Sequence, residues 1–312
     1  MPLRLSDLGE TELISRFRGL LPMPPGVRTG IGDDAAIVSG SGDIEMVLTS
    51  DAVIEGIHFR PDDALEAVGH KAVARVVSDL AAMGAEPEWC LVNLVAPGNR
   101  EVAGIEALYR GMAATASRYG LAIVGGDCAC CEPLSLHCFA TGSVDGEAAL
   151  LRSGAREGDV LFVTGELGGS GLGKHLRFEP RLPEGTWLRK WGKVTAAIDV
   201  SDGLATDAVH LSQASGVGIR IRAADLPVSD AARRIAGEHT AIRHALCDGE
   251  DFELLFSVAA EDATGLRDSW EKEFETRLTR IGLCDGHPGV LTVEREDGSF
   301  ERPEIAGFDH FQ

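Results

Sequence analysis

Between residues 46 and 144 the chain alternates apolar runs of two lengths, and that alternation limits the fold more than any single motif. The runs at 46–54 (MVLTSDAVI), 89–97 (WCLVNLVAP, ended by Pro97), 121–127 (LAIVGGD) and 134–144 (LSLHCFATGSV) have strand length and composition. Those at 65–85 (LEAVGHKAVARVVSDLAAMGA, ending near Gly84) and 101–120 (closed by Gly120) have helical length and period. The pattern recurs after a polar, turn-rich stretch at 150–159, with a strand then a glycine loop expected over 160–169, a strand, acidic loop and helix over 195–216, and strands at 217–227, 250–258, 277–286 and 289–296. An α/β (α+β) fold in two domains follows, a mixed sheet in 1–148 and a second α/β unit in 149–312. At the N-terminus a helix over Glu10–Phe17 is expected, led in by Ser6 or Asp7 as its cap.

Aspartates punctuate these runs. Asp33 and Asp34 lie in GIGDDAA, Asp51 in LTSDAV, Asp79 in VVSDLAAMGA, Asp127 in VGGD, and Asp199 and Asp202 in AIDVSDGL. Each sits beside Gly, Ser or Thr at the edge of an apolar run, where α/β folds gather ligand loops. One such aspartate is most often a helix cap or turn former. The recurrence of the pattern favours a shared task, namely holding hard divalent cations, which want carboxylate and phosphate oxygens, against a phosphorylated ligand.

Charge bears on this directly. With 29 Lys and Arg against 49 Asp and Glu, the chain carries a formal charge of −20. That argues against a nucleic-acid binder, which would neutralise phosphates with basic patches, and against a polybasic membrane anchor. No apolar run approaches membrane-spanning length, and the N-terminus lacks a signal-peptide layout, so a cytoplasmic protein is expected. The seven cysteines are odd in number and suit reduced thiols. If phosphates are handled, bound cations must supply the positive charge.

Three features invite other readings. Gly168 to His175 nearly spells a phosphate-binding P-loop, but His175 stands where a hydroxyl should hold Mg²⁺ and two prolines follow closely, so a plain glycine-rich loop is expected. Cys128-Ala129-Cys130-Cys131 contains a C-x-x-C without a second pair at zinc spacing. His58 follows Asp51 by seven residues, while His70, His210 and His244 read as helix-surface residues.

GIGDDAA, TSDAVIEGIHF, SDLAAMGAEP, VGGD, the arginine of LLRSGA, AIDVSDGL, GEDFELLF and the terminal GFDHF, taken in order, resemble the thiamine-monophosphate kinase family, within the superfamily of aminoimidazole ribonucleotide synthetase and selenophosphate synthetase. The resemblance runs from about Gly30 to the C-terminus. It implies transfer of the γ-phosphate of ATP to thiamine monophosphate with Mg²⁺, in a homodimer whose N-terminal domains pair and whose C-terminal domain covers the site. It places metal ligands at Asp34, Thr49, Ser50, Asp51, Asp79, Asp127, Asp199 and Asp202, of which Asp34, Asp51, Asp79, Asp127 and Asp199 would carry the transfer. ATP contacts fall at Tyr109, Gly125, Gly126, Asp127, Arg152 and Ser201, and substrate contacts at His58, Glu250 and Phe308. The chain departs from the family before His175, where a helical stretch is missing, and at Phe178, which replaces a proline. Alternatives are another ATP-dependent synthetase of the superfamily or a non-catalytic nucleotide-binding regulator. A selenide-activating enzyme would be expected to show a reactive cysteine near the start, and no cysteine precedes Cys90.

Overall fold

A computed structural model describes residues 4–146, 148–235, 240–295 and 297–303. In chain order its elements are α1 (Glu10–Leu20), β1 (Val27–Thr29), β2 (Ala36–Ser39), β3 (Ile44–Ile54), α2 (Leu65–Ala82), β4 (Glu86–Ala96), α3 (Val102–Arg118), β5 (Ala122–Cys130) and β6 (Ser135–Asp145). The second half adds β7 (Val160–Thr164), α4 (Leu182–Trp191), β8 (Val194–Asp199), α5 (Leu204–Ser215), β9 (Gly218–Arg222), α6 (Asp230–Arg234), α7 (Ala241–Cys247), β10 (Leu254–Val258), α8 (Ala263–Glu273), β11 (Leu278–Asp285), β12 (Leu291–Glu294) and β13 (Phe300–Glu301).

The strands form two mixed sheets that follow chain order. The first runs β1-β2-β3-β6-β4-β5 and the second β13-β12-β9-β11-β7-β10-β8. In the first, only β4 and β5 pair in parallel, as the α3 crossover between them requires. The mixed α/β class expected from the alternation is what the chain adopts.

Helix α2 is buried nearly all round, and its sequence says why. Val68, Ala72, Val73, Val76, Val77, Leu80 and Ala81 leave no continuous polar stripe. Its neighbours come close through glycine: a Cβ on Gly69 would lie 2.0 Å from the Leu108 carbonyl oxygen, and one on Gly111 1.9 Å from that of Glu66. α2 and α3 therefore pack backbone to backbone against the β6 and β4 face that carries Leu136, Cys138, Ala140, Cys90 and Val92. The opposite face of that sheet has no helix over it among the described residues, and there Trp89, Leu91, Val124 and Phe139 are exposed.

Three local expectations are corrected. α1 is capped by Gly9 rather than Ser6 or Asp7; the Asp7 carboxylate accepts instead from the Arg4 N–H at 2.8 Å. β5 runs past the expected end at 127: its pairing with β4 continues to Ala96↔Cys130, so Asp127 lies inside the strand rather than at its end. The three histidines read as helix-surface residues are partly buried and partnered. His70 joins Thr115 Oγ1 (2.9 Å) to the Phe178 carbonyl (2.8 Å), His244 pairs with Asp248, and His210 stands 3.7 Å from Asp207.

Candidate functional site: an acidic cleft between the two sheets

Four elements deliver carboxylates to one place. Asp51 comes from the middle of β3, Asp79 from the last turns of α2, Asp199 from the end of β8, and Asp34 from the turn before β2. Thr49 and Asp51 share the helix-facing side of β3, since alternate strand residues share a face, and the Thr49 hydroxyl donates to Asp79. Ser78, beside Asp79 on α2, donates to Asp199 Oδ2 at 2.6 Å and so ties the two halves of the molecule together.

Electrostatics show what this proximity costs. Burial, then Asp199 and Asp51, push the Asp79 carboxyl well above its ordinary value. Burial, then Asp34, does the same for Asp199. Burial and Asp34 hold Asp33 up at about 7. Asp34 Oδ2 is buried and has no hydrogen-bond partner. A crowd of carboxylates with an orphaned oxygen is poorly satisfied by the protein alone. The donor set is entirely carboxylate and hydroxyl oxygen, which suits Mg²⁺ rather than a thiolate-seeking metal.

Two arginines reach in. Arg152 binds Asp34 Oδ1 through Nη2 at 2.6 Å, and its backbone N–H lies 3.3 Å from Asp33. Arg75 binds both oxygens of Asp51, at 2.6 and 2.7 Å. On the C-terminal side, Glu250 meets the buried Lys71 at 2.5 Å. Glu250 and Phe252 adopt φ of 64° and 51°, a left-handed conformation that side chains of this size rarely take and that marks a held loop. Hydrogen bonds from the Glu250 and Phe252 N–H groups to the Ser201 and Val200 carbonyls fix it beside the β8 end. His58 is buried; its Nδ1 accepts from the Ile54 N–H at 3.1 Å and its carbonyl accepts from Lys71 at 2.6 Å.

Other residues expected at the site are placed elsewhere. Asp51 aligns across the sheet with Cys138, Val92 and Gly126, so two strands separate it from β5. At one strand spacing per step the gap is about 14 Å. Asp127 aligns with Asn93, His137 and Ala52, one residue out of phase with Asp51, and therefore faces the uncovered side. Ser50 faces that side too, paired with Phe139. One chain thus brings Asp34, Thr49, Asp51, Asp79 and Asp199 together, but not Ser50 or Asp127. Gly126 has to be glycine, because a Cβ there would lie 1.8 Å from the Val92 carbonyl oxygen. Gly125 and Tyr109 lie on β5 and α3, on the same far side, and burial raises the Tyr109 phenol. Asp202 is half-buried, its N–H donating to Asp207 at 3.1 Å. Phe308 lies outside the described residues.

Lys71, Arg75, Ser78, Asp207 and His210 were missed from the sequence. For two of them a signal existed: Lys71 and Arg75 precede Asp79 by eight and four residues, which puts all three on one helix face. Asp202, Asp207 and His210 bring one ligand atom each within 4.8 Å of one another, the one such grouping among the described residues.

The order of these ligand loops along the chain has counterparts in known proteins. The family profile described as AIR synthase related protein, N-terminal domain, matches residues 32–144. Thiamine-monophosphate kinase of Rhodopirellula baltica is 39% identical, over 96% of this chain and 97% of its own length. The chain belongs to the thiamine-monophosphate kinase family. It is accordingly a kinase, with ATP as co-substrate. Among solved structures of that family, AaThiL complexed with AMPPCP and TMP superposes with a TM-score of 0.86 at 32% identity, covering 99% of both chains. The kinase from Stenotrophomonas maltophilia K279a superposes at 0.76, with 35% identity over 92% of this chain and 96% of that one.

The glycine loop confirms the plain reading. Only short 3₁₀ turns follow it, over Ser170–Leu172 and Lys174–Leu176, where a P-loop would start an α-helix. The Gly168 and Gly169 N–H groups already donate to Asp251 and Asp248, both at 2.7 Å, and Lys174 is held by Glu253 at 3.0 Å. Phe178 stacks on Phe252 with ring centroids 3.8 Å apart, so the departure from proline fills a core position beside the Glu250 loop.

Proposed function

We propose that this chain transfers the γ-phosphate of ATP directly and in line to thiamine monophosphate, giving thiamine diphosphate and ADP. The observation that carries the reading is the oxygen-only cluster of Asp34, Asp51, Asp79 and Asp199, in which Asp79 and Asp199 are held well above their ordinary ionisation and Asp34 Oδ2 has no hydrogen-bond partner. A 32%-identical relative, AaThiL, has been solved with AMPPCP and TMP and superposes over 99% of the chain.

The acceptor is a phosphate monoester whose second pKa is about 6, so at neutral pH it is already an anionic nucleophile and needs no general base. Its oxygen bonds to the γ-phosphorus as the bond from that phosphorus to the β–γ bridging oxygen breaks and ADP leaves. The difficulty is bringing two anions together, which makes positioning and electrostatics the main tasks. Mg²⁺ held by Asp34, Thr49, Asp51, Asp79 and Asp199, with Asp202 at the cleft edge, would neutralise and align the phosphates. Arg152 supplies a fixed fork for the nucleotide phosphates once it leaves Asp34, and Ser201 lines the same edge. His58, Glu250 and Phe308 take the thiamine side.

The remaining residues belong to a homodimer in this proposal. The edge of β5 is open, and β3 beyond Leu48 has no strand partner on its β2 side among the described residues. Pairing those two edges across a two-fold axis would cover Trp89, Leu91, Val124 and Phe139. It would also carry Tyr109, Gly125, Gly126 and Asp127 of one chain toward Ser50 and Asp51 of the other. Residues 1–148 are then the nucleotide, metal and pairing domain, and 149–312 the domain that covers the substrate.

Incubation with ATP, Mg²⁺ and thiamine monophosphate, followed by chromatography, should yield thiamine diphosphate. Thiamine offered as acceptor should yield none. Product from thiamine but not from its monophosphate would reject the reading.

A further inference from the structure

The acidic cleft contains a cation that no motif assigns. Arg75 places Nε 2.6 Å from Asp51 Oδ2 and Nη2 2.7 Å from Oδ1, so its two-pronged contact takes up both oxygens of that carboxylate. Its third nitrogen, Nη1, points to the other half of the molecule, 3.5 Å from Glu250 Oε1, and the guanidinium lies 5.8 Å from the centroid of the Phe252 ring. One turn earlier on α2, Lys71 holds the same Glu250 oxygen at 2.5 Å. A guanidinium does not lose its proton at any ordinary pH, so Asp51 has a permanent counter-ion.

We propose that Arg75 is a positioning residue that competes with the divalent cation for Asp51. Its two-pronged contact neutralises Asp51. When a cation takes the carboxylate oxygens, the guanidinium turns along its existing contact toward Glu250 and Phe252. Cation entry in the N-terminal half is thereby coupled to the Glu250 loop in the C-terminal half, where the substrate is expected. The competition is thermodynamic: a group that must be displaced weakens the incoming ligand by the free energy of the contact it gives up. Arg152 makes a similar contact with Asp34, but the family resemblance already gives it a nucleotide phosphate, whereas Arg75 has no assigned ligand. The inference rests on Asp51 being a metal ligand, and its test separates the two.

Mn²⁺ is titrated into nucleotide-free protein and free Mn²⁺ is followed by electron paramagnetic resonance, with thermal melting to verify folding. In R75M, the Mn²⁺ site that D51N abolishes should bind about tenfold tighter than in wild type. R75K keeps a charge but cannot span both oxygens, and should give roughly a threefold gain; it decides the matter if R75M does not fold. Loss of a neighbouring positive charge by itself also tightens binding in R75M, so R75K, which keeps the charge, is decisive: a merely structural arginine would leave its metal affinity unchanged or lower. Equal or weaker Mn²⁺ binding in R75K, with the site still lost in D51N, overturns the competition and leaves Asp51 as a ligand. Wild-type binding in D51N overturns both.

Discussion

Two regions of this molecule look suited to phosphate, and they differ in whether the donors a phosphate would need are already taken. The glycine loop after β7 has the near-spelling of a phosphate loop and a lysine in place. Yet Gly168, Gly169 and Lys174 are each occupied by carboxylates of the same half, Asp251, Asp248 and Glu253. The cleft between the sheets has no such spelling and the wrong sign of charge. There the groups are left wanting: Asp34 Oδ2 has no partner and Asp79 and Asp199 are pushed far from their ordinary ionisation. An orphaned oxygen does not by itself separate the two regions, since Asp251 Oδ1 beside the glycine loop also lacks a hydrogen-bond partner. What separates them is that the donors of the loop are already taken, and a satisfied donor has nothing left to offer a phosphate.

The strongest way to break this contrast is Asp79→Asn. Turnover should fall at least ~10²-fold, as the loss of a group that organises transition-state charge typically does. The same change should stabilise the metal-free protein at neutral pH, because it removes a buried carboxylate from among like charges. Mg²⁺ should then raise the melting temperature of the wild type but hardly that of the variant. A variant that melts lower than wild type without metal would show that the carboxylates are not under strain.

Next in size is a mixing experiment on the completeness of the cleft. Asp51→Asn and Asp127→Asn should each be inactive alone. If a partner chain supplies Asp127, unfolding and refolding the two together should restore roughly a quarter of wild-type activity, since half the dimers are mixed and each mixed dimer keeps one intact site of two. No recovery from a confirmed mixture would place Asp127 in its own chain's site or outside any site.

A smaller effect belongs to the glycine loop. Burial holds the Asp251 carboxyl up at about 7, with Lys174 pulling the other way. The unfolded value is about 3.9, so between these limits the folded state binds more protons and stability falls as pH rises. Asp251→Asn has no such proton to lose. Between pH 4 and pH 7 the wild type should therefore lose on the order of 3 kcal/mol relative to the variant, by denaturant titration. Parallel pH profiles would contradict the assignment.

Much of this was legible in the sequence, for identifiable reasons. Period and length placed β3, α2, β4, α3 and β6, because each is long and buried on a face that the pattern records. Four of the five aspartates expected to carry the transfer converge. The fifth, Asp127, reads as the end of its strand because Gly125 and Gly126 precede it. They continue the strand, since β4 approaches too closely for any side chain at Gly126. Arg75 and Lys71 went unread because a cation inside an apolar helix resembles a surface residue until its partners, 24 and 179 positions away, are known. Sequence spacing carries local periodicity well and long-range pairing hardly at all, and sites of this kind are assembled by the second.

The central claim is that the crowded cleft, and not the glycine loop, performs phosphoryl transfer. The most direct measurement is the rate of thiamine diphosphate formation by Asp51→Asn and Lys174→Gln, side by side with wild type at saturating ATP and Mg²⁺. The account predicts at least ~10²-fold loss for Asp51→Asn and a change within about threefold for Lys174→Gln. A collapse in Lys174→Gln with activity kept in Asp51→Asn would contradict it.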